Sequence, residues 1–317
     1  MKKLLALLCA AAMLLGMATA CSTTDSYTIG VCQLVAHPAL DAATQGFVDA
    51  VNEALGEENV TWEIQNAAND IPTCSTITNG FAASKVDLIM ANATPALQAA
   101  VASTEEIPIL GTSVTEYGVA LEIANFSGTV GGNISGTSDL APLDQQAKML
   151  LDLIPDAKNI GILYASSEAN SVYQANVVKA ELEKAGKTVT IYTFTDSNDV
   201  AAVTATACAA SDALYIPTDN TAASCTEAIN NVAEPAGVPI IAGEEGICSG
   251  CGVATLSIDY YELGRTTGQM AVKILKGESK ISEMPIEYYP NPVKKYNADL
   301  AKAHKIDIPS DYIAIEK

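Results

Sequence analysis

The chain has 317 residues, with 37 acidic side chains against 17 basic ones and a net charge of −20. That charge excludes nucleic acid as a partner, because phosphates repel an acidic surface, and it favours solubility without bearing on the fold. The length exceeds what one small core organises, so two lobes are expected.

Lys2 and Lys3 open the chain, followed by an apolar run from Leu4 to Gly16. That run is shorter than the about 20 residues a membrane-spanning helix needs. Ala18-Thr19-Ala20 then places small residues before Cys21, so residues 1–20 read as a secretory signal peptide. An A-x-A cut would release a soluble protein. The segment also resembles a bacterial lipobox, with Ala18 where Leu is usual, and this implies lipidation of Cys21. Residues 21–26 would be a polar tether, and the mature protein would sit on the outer face of the cytoplasmic membrane. Lipid chains contribute about 0.8 kcal/mol per buried methylene, enough for a multi-chain anchor to hold.

From Tyr27 onward, short apolar β-rich runs alternate with Ala-rich helical ones, the grammar of βαβ units and parallel sheets. Strands are expected at 27–33, 61–66, 87–91 and 107–111, and helices at 39–55, 74–84 and 95–102. Phe47, Val51 and Leu55 keep the helical period. Residues 126–139, with Gly128, Gly131, Gly132 and Gly136, read as a bendable crossover. The second half repeats the pattern: a helix at 141–153, then strands at 159–164, 188–193, 213–216 and 238–242. Between these strands lie helices at 171–185, 200–209 and 222–233. Leu256 to Asp259 precedes an amphipathic helix, 260–276, that stops at Gly277.

The halves correspond. Ile29-Gly30-Val31 and Ile160-Gly161-Ile162 lie 131 positions apart, as do Ile107-Pro108-Ile109-Leu110 and Val238-Pro239-Ile240-Ile241. Such self-similarity argues for two lobes of one topology. The expected fold is therefore α/β, two similar Rossmann-like lobes with parallel sheets joined by a multi-strand hinge. The N-terminal lobe is assigned residues 27–138 plus 260–279, and the C-terminal lobe 139–259 plus 280–317.

Six cysteines follow Cys21. Cys248 and Cys251 form a CxxC with neither a second pair nor a neighbouring His, which argues against zinc and favours a local disulfide or free thiols. Cys32 with Cys74, and Cys208 with Cys225, are further possible pairs, and the connectivity stays open. No metal or cofactor motif is present.

Several runs carry a resemblance: Gln33-Leu34-Val35-Ala36-His37-Pro38-Ala39-Leu40-Asp41, Gly111-Thr112-Ser113-Val114-Thr115, Ser167-Glu168-Ala169-Asn170-Ser171, Ile216-Pro217-Thr218-Asp219-Asn220-Thr221, Ala242-Gly243-Glu244-Glu245-Gly246 and Ile258-Asp259-Tyr260-Tyr261-Glu262-Leu263-Gly264. With them the chain resembles the tryptophan/tyrosine-type substrate-binding lipoproteins of ABC transporters, in the type I periplasmic-binding-protein superfamily. The resemblance implies a monomeric clamp for a small molecule, an amino acid such as tryptophan, tyrosine or phenylalanine. Its expected partners are ABC permease and ATPase subunits and, through the lipid, the membrane. Cys248 and Cys251 fall in a loop where relatives usually lack cysteine.

Ligands of open α/β sheets bind beyond the carboxyl ends of the strands. Gln33, Leu34, Thr94, Thr112 and Ser113 hold that place in the first lobe, and Asn170, Ser171, Thr218, Asp219, Asn220 and Glu244 in the second. A ligand carboxylate wants hydroxyls and helix N-termini, for which Thr94, Ser113 and Ser171 are candidates. An ammonium wants a carboxylate, with Asp219 first and Glu244 second. Gln33, Asn170 and Asn220 can both donate and accept; Leu34, Tyr117 and Tyr164 offer apolar wall. Asp219, Ser171 and Ser113 also stand where N-caps are expected, and a cap needs no ligand. His37 reads as a loop residue. An enzyme is the weaker alternative, since only two His exist and neither a P-loop nor G-x-S-x-G is present. A ligand-sensing receptor built on the same clamp is the other.

Overall fold

A computed structural model describes residues 26–316, so the signal segment and Cys21 lie outside the described residues. The first half runs β1 (Tyr27–Gln33), α1 (Pro38–Leu55), β2 (Val60–Asn66), α2 (Ile71–Ser84), β3 (Leu88–Asn92), α3 (Thr94–Ser103), β4 (Ile109–Val114), α4 (Tyr117–Ala120) and β5 (Ile134–Ser138). The second runs α5 (Leu143–Leu153), β6 (Asn159–Ala165), α6 (Ala169–Lys184), β7 (Thr188–Phe194), α7 (Val200–Ala210), β8 (Ala213–Ile216), α8 (Asn220–Ser224), α9 (Thr226–Ala236), β9 (Ile240–Ala242), α10 (Glu245–Cys251) and β10 (Ala254–Ser257). The chain returns through α11 (Tyr260–Leu275), β11 (Glu287–Tyr288), β12 (Val293–Tyr296), α12 (Ala298–Ala303) and β13 (Ile313–Ala314).

Two sheets result, ordered β11-β5-β4-β3-β1-β2 and β13-β12-β10-β9-β8-β6-β7. Every pairing is parallel except β10 with β12. The stretch β4-β3-β1-β2 has its counterpart in β9-β8-β6-β7, and β4 and β9 begin 131 positions apart, at Ile109 and Ile240. The repeat in the sequence is thus a repeat of topology.

Four departures from the sequence reading have physical causes. Residues 134–138, expected as part of a bendable crossover, form β5. Gly136 is at φ 146°, and a Cβ there would lie 2.1 Å from the Gly111 carbonyl oxygen. Its glycine permits close strand approach rather than bending. Residues 280–289 were assigned to the C-terminal lobe but belong to the first. Glu287 and Tyr288 pair with Thr137 and Ser138, and Met284 and Ile286 are buried in first-lobe cores. The helix expected at 222–233 is two, because Cys225 (φ −122°, ψ 18°) leaves helical geometry between α8 and α9. The CxxC lies on a helix, α10, where the Cys248 thiol donates to Gly252 O and the Cys251 thiol to Ile247 O. All six cysteines in the described residues are free thiols.

Helix α11 follows the second lobe yet docks on the first, and small residues decide how closely. Its Gly264 faces Ala43 of α1, where a Cβ would sit 2.0 Å from the carbonyl oxygen, and Gly46 of α1 faces Tyr261 in the same way at 2.1 Å. This approach brings Met270, Ala271 and Val272 onto Phe47, Val51 and Leu110. A buried triangle of hydroxyls also ties α11 to the sheet: Thr267 with Thr137 at 2.8 Å and with Thr112 at 3.1 Å, and Thr112 with Thr137 at 3.2 Å. Gly264→Ala is expected to cost about 1–3 kcal/mol through backbone overpacking. Gly80→Ala, at an open position inside α2, is expected to add about 0.5–1 kcal/mol. Urea denaturation of the two variants checks both signs.

Candidate functional site

The carboxyl ends of β1, β3 and β4 face those of β6, β8 and β9 across the gap between the lobes. The second lobe's edge is organised by acids that receive backbone N–H groups. Glu168, just before α6, accepts at Oε1 from Thr221 N and Oγ1, each at 2.9 Å. Its Oε2 accepts from Asn220 N at 3.0 Å, Asn220 Nδ2 at 2.7 Å and Asn170 Nδ2 at 3.2 Å. Asp219 caps α8 through Ala222 N at 2.7 Å and also accepts from Ala165 N at 2.8 Å and Ser171 Oγ at 2.6 Å. Glu244 caps α10, accepting from Gly246 N at 2.6 Å and from Ile247 N.

All three acids are buried, and no Lys or Arg is among the buried polar residues described. Burial without a cation pushes carboxyl pKa values up. Asp219 rises to about 8, from desolvation and then the Glu168 charge, and Glu244 to about 7, mainly from desolvation. Asp139, at the exit of β5, rises to about 6 through desolvation, opposed by hydrogen bonds from Thr115 and Tyr260. Its Oδ2 accepts from the Tyr260 hydroxyl at 3.1 Å across the hinge, while Oδ1 is buried with no partner.

The first lobe's edge carries bare hydroxyls. Thr94 opens α3 after Ala93, which is held at φ 93°, and Ser113 sits at φ 53° where the β4–β5 register shifts. Both side chains are buried, and neither Oγ has a hydrogen-bond partner. Non-glycine residues at positive φ cost energy and concentrate at functional sites. Asn170 adds a bare acceptor from the second lobe: its Nδ2 is used on Glu168, Ser171 and Thr218, while its buried Oδ1 is unpaired.

The sequence candidates thus separate into two groups. Thr94, Ser113 and Asn170 each keep a buried polar atom without a partner, and Asn220 has a partner in the other lobe. Gln33 is spent inside the first lobe, donating to Val35 O at 2.8 Å and Asp41 Oδ1 at 2.6 Å and accepting from Thr44 at 2.6 Å. Thr112 belongs to the hydroxyl triangle, and Leu34 is part of the first-lobe core. Asp219, Ser171 and Thr218 hold their own lobe together, Thr218 N donating to Gln174 Oε1 at 3.0 Å. Tyr117 is core as well, its hydroxyl donating to Thr137 O at 3.1 Å. Glu168, Asp139 and Asn69 were not singled out from the sequence, and His37 was set aside there as a loop residue. Glu168 stood inside a quoted run, but nothing in a lone Glu before a helix announces five donors. His37, read as a loop residue, is buried and contacts Asn220 Oδ1 through Nε2 at 3.3 Å. Asn69 Nδ2 donates to Thr221 Oγ1 at 3.0 Å. Both contacts join one lobe to the other across the gap.

Two twinned parallel lobes, crossed three times by the chain and meeting over buried polar loops, define the type I periplasmic-binding-protein class. The family model for ABC transporter substrate binding protein matches residues 28–314, and the chain belongs to that family. A tyrosine-binding protein from Clostridioides difficile is 34% identical over 319 residues, 95% of this chain and 92% of that protein. An ABC domain in complex with L-Trp from Streptococcus pneumonia is 31% identical with a TM-score of 0.86, over 90% of this chain and 97% of that one. A ligand-free, open structure of a substrate-binding protein with adhesive properties from Clostridium difficile is 38% identical with a TM-score of 0.69, over 92% and 99%. The family is one of binding proteins rather than enzymes, and its members are extracytoplasmic.

The raised carboxyl values carry a pH dependence. Folded values of about 6, 7 and 8 for Asp139, Glu244 and Asp219 lie above the ordinary carboxylate range. The folded protein therefore holds more protons than the unfolded chain between about pH 4 and pH 8. The stability they contribute is complete below that window and is lost as pH rises through it. Thermal unfolding of the unliganded protein is expected at lower temperature at pH 8 than at pH 5, with a smaller difference in Asp139→Asn.

Proposed function

We propose that the protein is an exported, lipid-anchored receptor that closes its lobes on an amino acid, aromatic in its side chain, and delivers it to the permease and ATPase subunits of an importer. The observation that carries this reading is the set of buried polar atoms without partners at the facing edges: Thr94 Oγ1, Ser113 Oγ, Asn170 Oδ1 and Asp139 Oδ1. Buried polar atoms are normally paired, and each unpaired one calls for an explanation. The set divides by chemistry. Thr94 and Ser113 supply hydroxyl donors beside the N-terminus of α3, where the dipole and free N–H groups favour a carboxylate. Asp139 Oδ1 and Asn170 Oδ1 are acceptors suited to an ammonium. In this assignment Asp219 shapes the second lobe instead of meeting the ammonium, because its oxygens are already engaged.

Two lines support closure as the working motion. The better superposition is on the L-Trp complex, although the open, ligand-free relative is closer in sequence. The hinge segment around Tyr260 also joins lobes that hydrogen-bond to each other at His37 and Asn69. Ligand contacts to both lobes favour the closed state only through the affinity difference between states. The aromatic side chain is carried over from the relatives' ligands, and the lipid anchor from Cys21 and the segment before it.

Calorimetry is expected to show binding of L-tyrosine or L-tryptophan. Thr94→Val and Ser113→Gly should each weaken it about tenfold, the worth of one hydrogen bond to a charged group. Heat from none of the twenty amino acids would remove the reading. Cys21→Ser is expected to move the protein from the membrane fraction of a bacterial host to the soluble fraction. An unchanged distribution would remove the anchor.

A further inference from the structure

His37 occupies the N-cap position of α1 but does not cap it, since its ring makes no bond to the helix. The ring turns instead across the gap to Asn220. The protons at this contact can be assigned from the network behind it. Both Glu168 oxygens accept from backbone N–H groups, at Asn220 and Thr221, so Glu168 is an acceptor here. The Asn220 side chain must then direct Nδ2 at Glu168, where it lies 2.7 Å from Oε2, and Oδ1 at His37. A carbonyl oxygen only accepts, so the His37 proton is on Nε2. Burial lowers the His37 pKa, against smaller raising effects of Asn220, Glu168 and Asp41, and so favours the neutral ring. In a neutral ring carrying its proton on Nε2, Nδ1 is a pure acceptor, and this atom is buried with no partner.

The second crossing has the same direction. Asn69, held at φ 63° in the loop before α2, donates to Thr221 Oγ1, and the Thr221 hydroxyl donates onward to Glu168 Oε1. Two donors from the first lobe therefore land on consecutive residues of α8, and one carboxylate holds both receivers in place.

We propose that residues 220–221, fixed from behind by Glu168, are a latch gripped by His37 and Asn69 on closure, and that His37 offers its bare Nδ1 to a proton donor of the trapped solute. One ring then both recognises the solute and fastens the lobes. Like Asn170 Oδ1 and Asp139 Oδ1, this Nδ1 is a buried acceptor without a partner. This inference rests on the amino-acid reading and names one contact within it. Two solute groups have the required chemistry, the ammonium and a side-chain donor such as phenol O–H or indole N–H.

The test separates the two nitrogens. A glutamine side chain reaches as far as Nε2, so His37→Gln retains the grip on Asn220 and loses the Nδ1 acceptor. An asparagine reaches only as far as Nδ1, so His37→Asn retains an acceptor and loses the grip. Affinity is measured by calorimetry for L-tyrosine, L-phenylalanine and 3-(4-hydroxyphenyl)propionate, with L-tryptophan, 1-methyl-L-tryptophan and indole-3-propionate as the parallel series. Compaction on binding is measured by small-angle scattering. His37→Gln is expected to compact like the wild type but to bind about tenfold more weakly, one hydrogen bond's worth. His37→Asn is expected to compact less at saturating solute while keeping the wild-type preference among analogues. In His37→Gln, a shrunken tyrosine-to-phenylalanine ratio identifies the side-chain donor, and a shrunken ratio of tyrosine to its des-amino analogue identifies the ammonium. If both ratios and the affinity of His37→Gln match the wild type, the inference is overturned and the amino-acid reading stands. If the wild type binds no aromatic amino acid, that reading falls and takes this inference with it.

Discussion

A buried carboxyl group with no buried Lys or Arg to pair with must be surrounded by hydrogen-bond donors, and in this protein that requirement shapes the face on which a ligand would close. Glu168, Asp219 and Glu244 are buried at the ends of second-lobe strands, and each takes backbone N–H groups from the helix that follows a strand. Bonds of this kind satisfy N–H groups at the start of a helix that have no partner within it. They hold three loops in the positions from which Asn170 and Asn220 project. Replacing one acid by an apolar residue would orphan several N–H groups at once, so the second lobe's edge behaves as one unit.

The first lobe meets that unit from a different construction. Its edge is shaped by backbone strain, with Ala93 and Ser113 at positive φ and their neighbouring hydroxyls left without partners. The stiffness behind it comes from contact rather than charge. Glycines let α11 lie against α1, and three threonine hydroxyls pin the same helix to the sheet. Helix α11 begins immediately after the second crossing between the lobes, so its docking fixes where that crossing ends. There, the Tyr260 hydroxyl, at the start of α11, donates to Asp139 just beyond β5 and joins two of the segments that connect the lobes.

Much of the fold was legible because both its signals are local. Strands of a parallel sheet buried on both faces are apolar runs, and the helices between them carry their own period, so β1, β6 and α1 are recognisable within a residue or two. The repeat at 131 positions was legible for the same reason. What failed locally was composition read without its neighbours. The glycines of 126–139 suggested bending, yet Gly136 serves a strand whose partner comes too close for a side chain. Residues 280–289 show no preference for either lobe until β5 offers them an edge.

The candidate site was legible as a set of loops and not as a set of roles. The sequence by itself determined the twinned α/β halves and the polar loops at the carboxyl ends of the strands, since these follow from hydrophobic period and chain connectivity. Only the tertiary structure decided which polar groups remain free. Gln33, Thr112, Ser171 and Asp219 are consumed by partners two to 155 positions away, while Thr94, Ser113 and one nitrogen of His37 are not. Hydrogen-bond capacity is finite, and whether a side chain has any left for a ligand depends on every neighbour the fold brings to it.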